Sequence, residues 1–174
     1  MVPVKNHELL FDAMALLSHR MDPAPHLIVV GSGEREGALR AYVSDKGLGD
    51  VVHWLGWRKD LQQVFPAFDV TALTSLDEGT PVSLIESLAS GTPVVSVAVG
   101  GVSEILDGGG LGRLVHSAGD DEVAAGLESV LASPPSAEER ERAQKLVLER
   151  FSIERLVEDV ESMCVEALKD IVMR

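Results

Sequence analysis

Two acidic residues, Glu78 and Glu86, flank the start of a predicted helix in the stretch DEGTPVSLIE (77–86). Glu78 precedes the helix, whereas Glu86 falls in its second turn, next to apolar residues. A carboxylate in an apolar setting needs hydrogen-bond donors, and sugar hydroxyls would serve. The same spacing also fits a surface helix with ordinary acids, because the chain contains 28 Asp and Glu residues.

The helix that begins between these acids offers a place for an anion. Thr80 is suited to cap it, and Pro81 is suited to its first position. The backbone amides of Val82 and Ser83 would then lack partners, and together with the helix dipole they would attract a phosphate group. Glu78 would lie at the mouth of this site.

Two other loops are rich in glycine. The loop in VVGSGERE (29–36) resembles a dinucleotide fingerprint, but its glycines are one residue too widely spaced for G-x-G-x-x-G. The next strand ends at Gly56-Trp57 instead of at an acid that would hold a ribose, so a tight strand-to-helix turn is favoured over a nicotinamide site. The loop in AVGGVSE (98–104) has paired glycines that would let the backbone approach a ligand closely, although the pair alone also fits a tight connection.

These loops connect short apolar runs to longer amphipathic segments. Runs that are apolar without alternation predict strands covered on both faces. Strands are predicted at 26–31, 51–56, 68–75, 92–98 and 112–117. Helices are predicted at 5–19, 34–46, 59–66, 81–89, 101–107 and 119–132. This order indicates an α/β fold with a doubly wound parallel sheet, in which ligands bind beyond the carboxyl ends of the strands.

The residues 133–174 form two further predicted helices. The first is charged and covers about 136–149, whereas the second, 152–171, carries an apolar stripe at steps of three and four. Ser152 is suited to cap the second helix. Cys164 lies on the apolar stripe, so we expect a buried structural thiol.

Composition excludes several classes of function. A formal net charge of −13 disfavours nucleic acid and anionic membrane as direct partners. The single cysteine excludes an internal disulfide framework and predicts a reducing, cytoplasmic location. We expect no metal, because the five histidines show no metal-ligand spacing with Cys or acids. No signal peptide and no membrane-length apolar run are visible.

The stretch TSLDEGTPVSLIESLASGTPVVSVAVGGVSEIL (74–106) resembles the signature region of retaining, nucleotide-sugar-dependent glycosyltransferases of the group 1 type. LIVVGSGEREGALR, VHWLGWRKDLQQVFPAFDV, LGRLVHSAGDDEVAAGLESVL and PVKNHELLFDAMALL are similar to other parts of that family, in its order. The resemblance covers nearly the whole chain. It implies that residues 1–174 are the nucleotide-sugar donor-binding domain, a Rossmann-like half of the GT-B fold.

The resemblance also implies roles for individual residues. Glu78 would face the donor sugar as the catalytic residue, Glu86 would bind the nucleotide ribose, and Lys5 would neutralise the diphosphate. The family needs no metal or other cofactor, because a lysine–arginine pair and a helix N-terminus carry the leaving-group charge. The main chain near the base would come from Gly56, Trp57 and Arg58, and contacts to sugar or diphosphate from Gly79, Thr80, Pro81, Val82 and Ser83.

The chain departs from the family pattern at its beginning. A strand ending in Gly-Arg-Leu precedes the lysine helix in the family, and its arginine is the second diphosphate partner. That first strand and an N-terminal acceptor domain do not occur in residues 1–174. The resemblance therefore predicts a groove in the sheet, filled by the missing domain or by another copy. In the full enzyme, the acceptor could lie at the surface of a membrane. Thr80 also replaces a large apolar residue, which would alter the sugar pocket.

Three functions remain open at this point. The first is the donor-binding half of a retaining, hexosyltransferase-like enzyme, inactive alone, that moves a sugar from a UDP- or GDP-linked donor to an acceptor hydroxyl. The second is a nucleotide-sugar epimerase of the same fold. The third is a non-catalytic binding module, which would be expected to lose some of Lys5, Glu78 and Glu86.

Overall fold

In a computed structural model that describes residues 1–172, helices and strands alternate along the chain as the sequence predicts. The strands are β1 (Leu27–Val30), β2 (Val52–Gly56), β3 (Thr71–Leu73), β4 (Val94–Val97) and β5 (Arg113–Val115). The helices are α1 (His7–Arg20), α2 (Glu36–Asp45), α3 (Leu61–Val64), α4 (Val82–Ala89), α5 (Val102–Ile105), α6 (Asp120–Ala132), α7 (Ala137–Phe151) and α8 (Ile153–Val172).

All pairings between strands are parallel, but they form two separate sheets. One sheet has the order β1-β2, and the other has the order β3-β4-β5. Within residues 1–172, no strand pairs with the second edge of β1 or of β3. Every residue of β4 is buried, whereas every residue of β3 and all but Val29 of β1 are half-buried. The predicted parallel α/β fold is therefore confirmed, with the strands divided between two sheets.

Helices cover both faces of the strands, which confirms a doubly wound arrangement. On one face, α1, α2 and α6 pack on a core that includes Val29 of one sheet and Val95 of the other. On the opposite face, α4, α5 and α7 pack on a second core around Leu84 and Val94. Adjacent residues of β4 thus point to different cores, as expected for side chains that alternate along a strand. The first core spans both sheets, so helices hold the two sheets together.

Buried hydroxyl groups fasten α4 to the strands beside it. The Ser87 hydroxyl donates to the hydroxyl oxygen of Thr71 at 2.8 Å and lies 3.2 Å from the Thr92 carbonyl oxygen. The Thr92 hydroxyl in turn donates to the carbonyl oxygen of Phe65 at 2.7 Å. Buried polar groups are tolerated when they are paired in this way. They fix the position of α4 relative to β3.

Most elements are shorter than the sequence predicts, including β3 and α3. The third strand covers Thr71–Leu73 instead of 68–75, and beyond its end the Leu76 amide pairs with the Val4 carbonyl oxygen instead of with β4. The helix predicted at 59–66 stops at Val64, and a 3₁₀ turn that contains Pro66 follows it. Proline lacks the amide that would continue an α-helix.

The predicted helix caps have different outcomes. Thr80 does not cap α4, because the helix begins at Val82 and Pro81 occupies the cap position without a side-chain hydrogen bond. Proline at the residue before the helix displaces the predicted start by one position. Ser152 does act at the start of α8, since its hydroxyl accepts a hydrogen bond from the Arg155 amide at 3.3 Å.

The apolar stripe of α8 is confirmed as a helical face, but it is exposed. Ile153 and Met163 retain 70% and 69% of their accessible surface. Cys164 is exposed too, so the expectation of a buried thiol is wrong. The physical reason is that residues 1–172 supply no element that covers this face. Over the same residues, no helix is both long and apolar enough to cross a membrane.

The anchoring of α4 leads to a test on two apolar residues of that helix. Leu84 is fully buried, whereas Val82 is 57% exposed. We expect Leu84→Ala to lower the free energy of unfolding by about 2–5 kcal/mol, since it removes buried methyl groups and leaves a cavity. The matched change Val82→Ala should cost less than about 0.5 kcal/mol. Urea denaturation of both variants measures the difference, and equal costs would contradict the packing described here.

Candidate functional site

The carboxyl ends of β1 and β3 are joined by the first residues of the chain. The N-terminal ammonium of Met1 donates to the carbonyl oxygen of Ser32 in the loop after β1. The amide of Leu76, in the loop after β3, donates to the Val4 carbonyl oxygen at 2.8 Å. The Thr74 hydroxyl donates to the Asn6 carbonyl oxygen at 3.1 Å. The segment therefore lies across the edge of the sheet where a ligand is expected.

This docking brings together Lys5 and Glu78, two of the predicted site residues. The Lys5 Nζ atom lies 2.6 Å from Glu78 Oε1, and the Ser75 Oγ atom donates to the same oxygen at 2.6 Å. The Glu78 side chain is only 10% exposed, whereas the Lys5 side chain is 41% exposed. Two charged or strongly polar donors compensate the desolvation of the carboxylate. The Glu78 side chain is thus held in one orientation.

The glycine pair after β4, Gly100 and Gly101, packs against the loop that carries Glu78. The Gly101 amide donates to the Glu78 carbonyl oxygen at 3.0 Å. A Cβ at Gly100 would overlap that oxygen, and a Cβ at Gly101 would overlap the Gly79 carbonyl oxygen. Gly100 also has a φ of +47°, which favours glycine. The paired glycines were predicted to approach a ligand, but the group they approach is the backbone of the site loop.

The start of α4 has the predicted unpaired amides. The Leu84 amide donates to the Pro81 carbonyl oxygen at 3.0 Å, whereas the amides of Val82 and Ser83 donate to no backbone oxygen of the described residues. Thr80 and Gly79 are exposed in the loop before the helix. Free amides at the positive end of a helix dipole favour an anion, although a site needs further groups that recognise it.

Glu86 differs from the expectation in one respect. It lies in the second turn of α4, but its side chain is exposed and makes no hydrogen bond with residues 1–172. The apolar residues beside it in the sequence face the core, because a helix places its neighbours on other sides. The prediction of a carboxylate in an apolar setting is therefore wrong, and its oxygens are free to accept from a ligand.

The residues expected near a base lie at the end of β2, in the other sheet. The Gly56 carbonyl oxygen accepts from the Gly31 amide at 2.7 Å, which joins this loop to the loop after β1. Trp57 is 65% exposed, and Arg58 pairs with Asp60. Within residues 1–172, no hydrogen bond or ion pair links these residues to the Lys5–Glu78 pair.

Charged groups of both signs surround the beginning of α1. Burial lowers the pKa of the His7 imidazole, and the N-terminal ammonium lowers that pKa further. Glu8 opposes these effects, whereas Arg35 and Lys5 add to the lowering. Glu8 also pairs with Arg35 at 2.6 Å. Each of the two side-chain cations near His7 is thus paired with a carboxylate, Arg35 with Glu8 and Lys5 with Glu78.

A separate cleft of about 250 Å³ lies at the opposite edge of the strands. It is lined by Pro93 and Arg113 at the amino ends of β4 and β5, and by Arg140 and Arg142 of α7. We place the candidate site at the carboxyl edge instead, because ligands of parallel α/β sheets bind there and because the oriented carboxylate is there. In the described part of the chain, no three His, Cys, Asp or Glu side chains cluster in a way that could hold a metal ion.

Sequence reasoning missed three parts of this site. Ser75 stands three residues before Glu78, a spacing at which a hydroxyl can reach a side chain across a turn, and this signal was available in TSLDE. The docking of Met1 and the role of Gly100 depend on contacts between segments far apart in sequence. A single sequence carries no direct signal for such contacts.

Comparison with known proteins agrees with the fold. The structure superimposes on Anabaena HepE, solved in complex with UDP, with a TM-score of 0.85 and 25% identity over 95% of this chain and 46% of that one. The same Anabaena protein has also been solved with UDP-glucose. The fold is therefore that of the Rossmann-like C-terminal domain of GT-B glycosyltransferases.

The family follows from the sequence match. The family model for glycosyl transferases group 1 matches residues 1–147, and the chain belongs to this family. D-inositol 3-phosphate glycosyltransferase of Gordonia bronchialis is 33% identical over 99% of this chain and 40% of its own length. An MMP alpha-(1->4)-mannosyltransferase of Mycolicibacterium hassiacum is 32% identical over 76% of this chain and 33% of its own length. The chain thus spans less than half the length of these relatives.

The environment of His7 leads to a prediction for the pH dependence of stability. Because the pKa of His7 is lowered in the folded state, the unfolded chain takes up the proton first as pH falls below about 6.5. The free energy of unfolding should therefore decrease from neutral pH into this range. Below the pKa of His7 in the folded state, protonation of His7 should cause no further decrease. Denaturant unfolding at several pH values should show a smaller decrease for His7→Gln. The same change at exposed His116 is the control, and an unaltered profile for His7→Gln would contradict the burial described.

Proposed function

We propose that this chain is the nucleotide-sugar donor-binding half of a retaining glycosyltransferase. The observation that supports this proposal best is the pairing of Lys5 with Glu78 at 2.6 Å beside the start of α4. An oriented carboxylate next to a cation and free helix amides suits a ligand that is both a sugar and a phosphate ester. The membership of the group 1 family and the similarity to a UDP-binding structure support the same function.

In this proposal, Glu78 touches the donor sugar and Lys5 turns to the diphosphate. The amides at Val82 and Ser83 contact the diphosphate, with Gly79, Thr80 and Pro81 lining the approach. Glu86 binds the ribose, since its free oxygens accept hydrogen bonds from hydroxyl groups.

The remaining donor contacts come from the main chain of Gly56, Trp57 and Arg58, which flanks the base. No metal takes part in the proposed transfer, because Lys5 and the helix amides stabilise the leaving diphosphate. The transfer itself also needs an acceptor domain, and we place the enzyme in the cytoplasm.

Titration with nucleotides tests the donor site. We expect the chain to bind either UDP or GDP, and we expect Lys5→Met and Glu86→Ala each to weaken binding by about tenfold or more, because each removes a hydrogen bond that involves a charged group. Isothermal titration calorimetry measures this. Glu141→Ala and Lys145→Met, on the exposed surface of α7, are matched controls that should bind like the unmodified chain. Folded protein that binds neither nucleotide would count against the proposal and favour a non-catalytic module.

We also propose that the space between β1 and β3 receives one parallel strand from the N-terminal half of a longer enzyme. The residues Met1 to Asn6 hydrogen-bond to the loops after both strands, so a strand that ended at Met1 would run between them. The half-buried state of β1 and β3 fits two edges with a vacant side. The relatives are about 2.5 times as long as the matched region, which provides such a half.

Hydrogen exchange tests this strand. We expect the amides of β1 and β3 to exchange faster than those of β4, since their second edges lack partners. Adding the N-terminal part of the Gordonia bronchialis relative, up to the residue aligned before Met1, should slow exchange in β1 and β3. Self-association that protects the same amides would instead identify a second copy as the occupant. Full protection of β1 and β3 in the monomeric chain would contradict the proposal.

A further inference from the structure

The Glu78 carboxylate is shared by two donors of different kinds. Lys5 and Ser75 both donate to Oε1, each at 2.6 Å. The second oxygen, Oε2, accepts from no group of residues 1–172, yet it is not a buried unsatisfied atom. One oxygen is therefore held by the protein, and the other is open toward solvent.

The two donors differ in how freely they can move. The Lys5 side chain is 41% exposed and ends a flexible stem, so its ammonium can turn to another anion. Ser75 is 1% exposed, and its short side chain has one rotatable bond within a packed loop. A diphosphate that arrives at the site would compete with Glu78 for Lys5 but could not displace Ser75.

We propose that Ser75 is the positioning residue for Glu78 in the donor-bound state. When Lys5 transfers its hydrogen bond to the diphosphate, the Ser75 hydroxyl remains on Oε1 and keeps Oε2 directed at the sugar. This inference rests on the proposed function, because it assumes that the donor carries both a sugar and a diphosphate. Under this proposal, Lys5 and Glu78 pair in the ligand-free protein, and the bound donor separates them.

The backbone around Ser75 supports a fixed rather than adaptable hydroxyl. Thr74 and Leu76, on either side, both hydrogen-bond to the segment that carries Lys5. On the far side of the loop, Gly101 holds the Glu78 carbonyl oxygen. The Ser75 side chain is thus fixed relative to Glu78 by contacts that do not involve Lys5.

Binding of UDP and of UDP-glucose distinguishes positioning of Glu78 by Ser75 from a purely structural role of Ser75. We expect Ser75→Ala to weaken binding of UDP-glucose by about tenfold while changing binding of UDP by less than about twofold, since only the sugar contact depends on Glu78. Ser75→Thr, which retains the hydroxyl, should bind UDP-glucose and UDP like the unmodified chain. Ser96→Ala is the matched control, because Ser96 is equally buried and its hydroxyl donates to the Val97 carbonyl oxygen. Equal weakening of both ligands, or of neither, would overturn the assignment.

A second readout needs no ligand. In the unmodified chain, the Lys5 ammonium should give a slowly exchanging NMR signal because Glu78 holds it. Ser75→Ala should broaden that signal as the carboxylate becomes mobile, and Ser96→Ala should not. If the unmodified chain binds neither UDP nor GDP, the proposed function fails for this chain, whereas the ammonium signal still decides whether Ser75 positions Glu78. An unchanged signal in Ser75→Ala would overturn that assignment.

Discussion

The docking of the first six residues across the edge of the sheet is the constraint on which the site depends. Backbone hydrogen bonds from this segment reach the loop after β1 and the loop after β3, and these two loops belong to separate sheets. Without that bridge, Lys5 would have no fixed relation to Glu78. The ion pair is thus a consequence of main-chain geometry, which brings Lys5 to the largely buried Glu78 carboxylate.

The second constraint is the packing of α4. Buried hydroxyl groups join Ser87 to Thr71 and Thr92, while Leu84 and Leu88 enter the core below the helix. A helix that is fixed in this way presents its amino end at a defined place. The site therefore combines two independently positioned parts: a carboxylate on a clamped loop and the free amides at the start of a rigid helix.

The order and type of the elements could be predicted from the sequence, because apolar runs bounded by glycine and proline mark parallel strands. The expectation that these strands are covered on both faces holds throughout only for β4. The family resemblance named Lys5 and Glu78 as site residues, but their direct contact was not predicted. The exposure of Cys164 could not be predicted from periodicity, since an apolar stripe shows which side faces a partner but not whether that partner is present. The exposure of Glu86, by contrast, agrees with helical spacing, which places it on a different side from Leu84 and Leu88. Ser75 was missed because a hydroxyl near an acid is common in loops.

The two cores on opposite faces of the strands have a consequence for how such a protein can evolve. Lys5 is carried by the α1 layer, whereas Glu78 leads into the α4 layer, and these layers share few buried residues. Substitutions that reshape the α4 layer can therefore alter the surroundings of Glu78 while the α1 layer that carries Lys5 stays in place. Changes on one side of the site then require no redesign of the other layer, which lets one scaffold diversify in small steps.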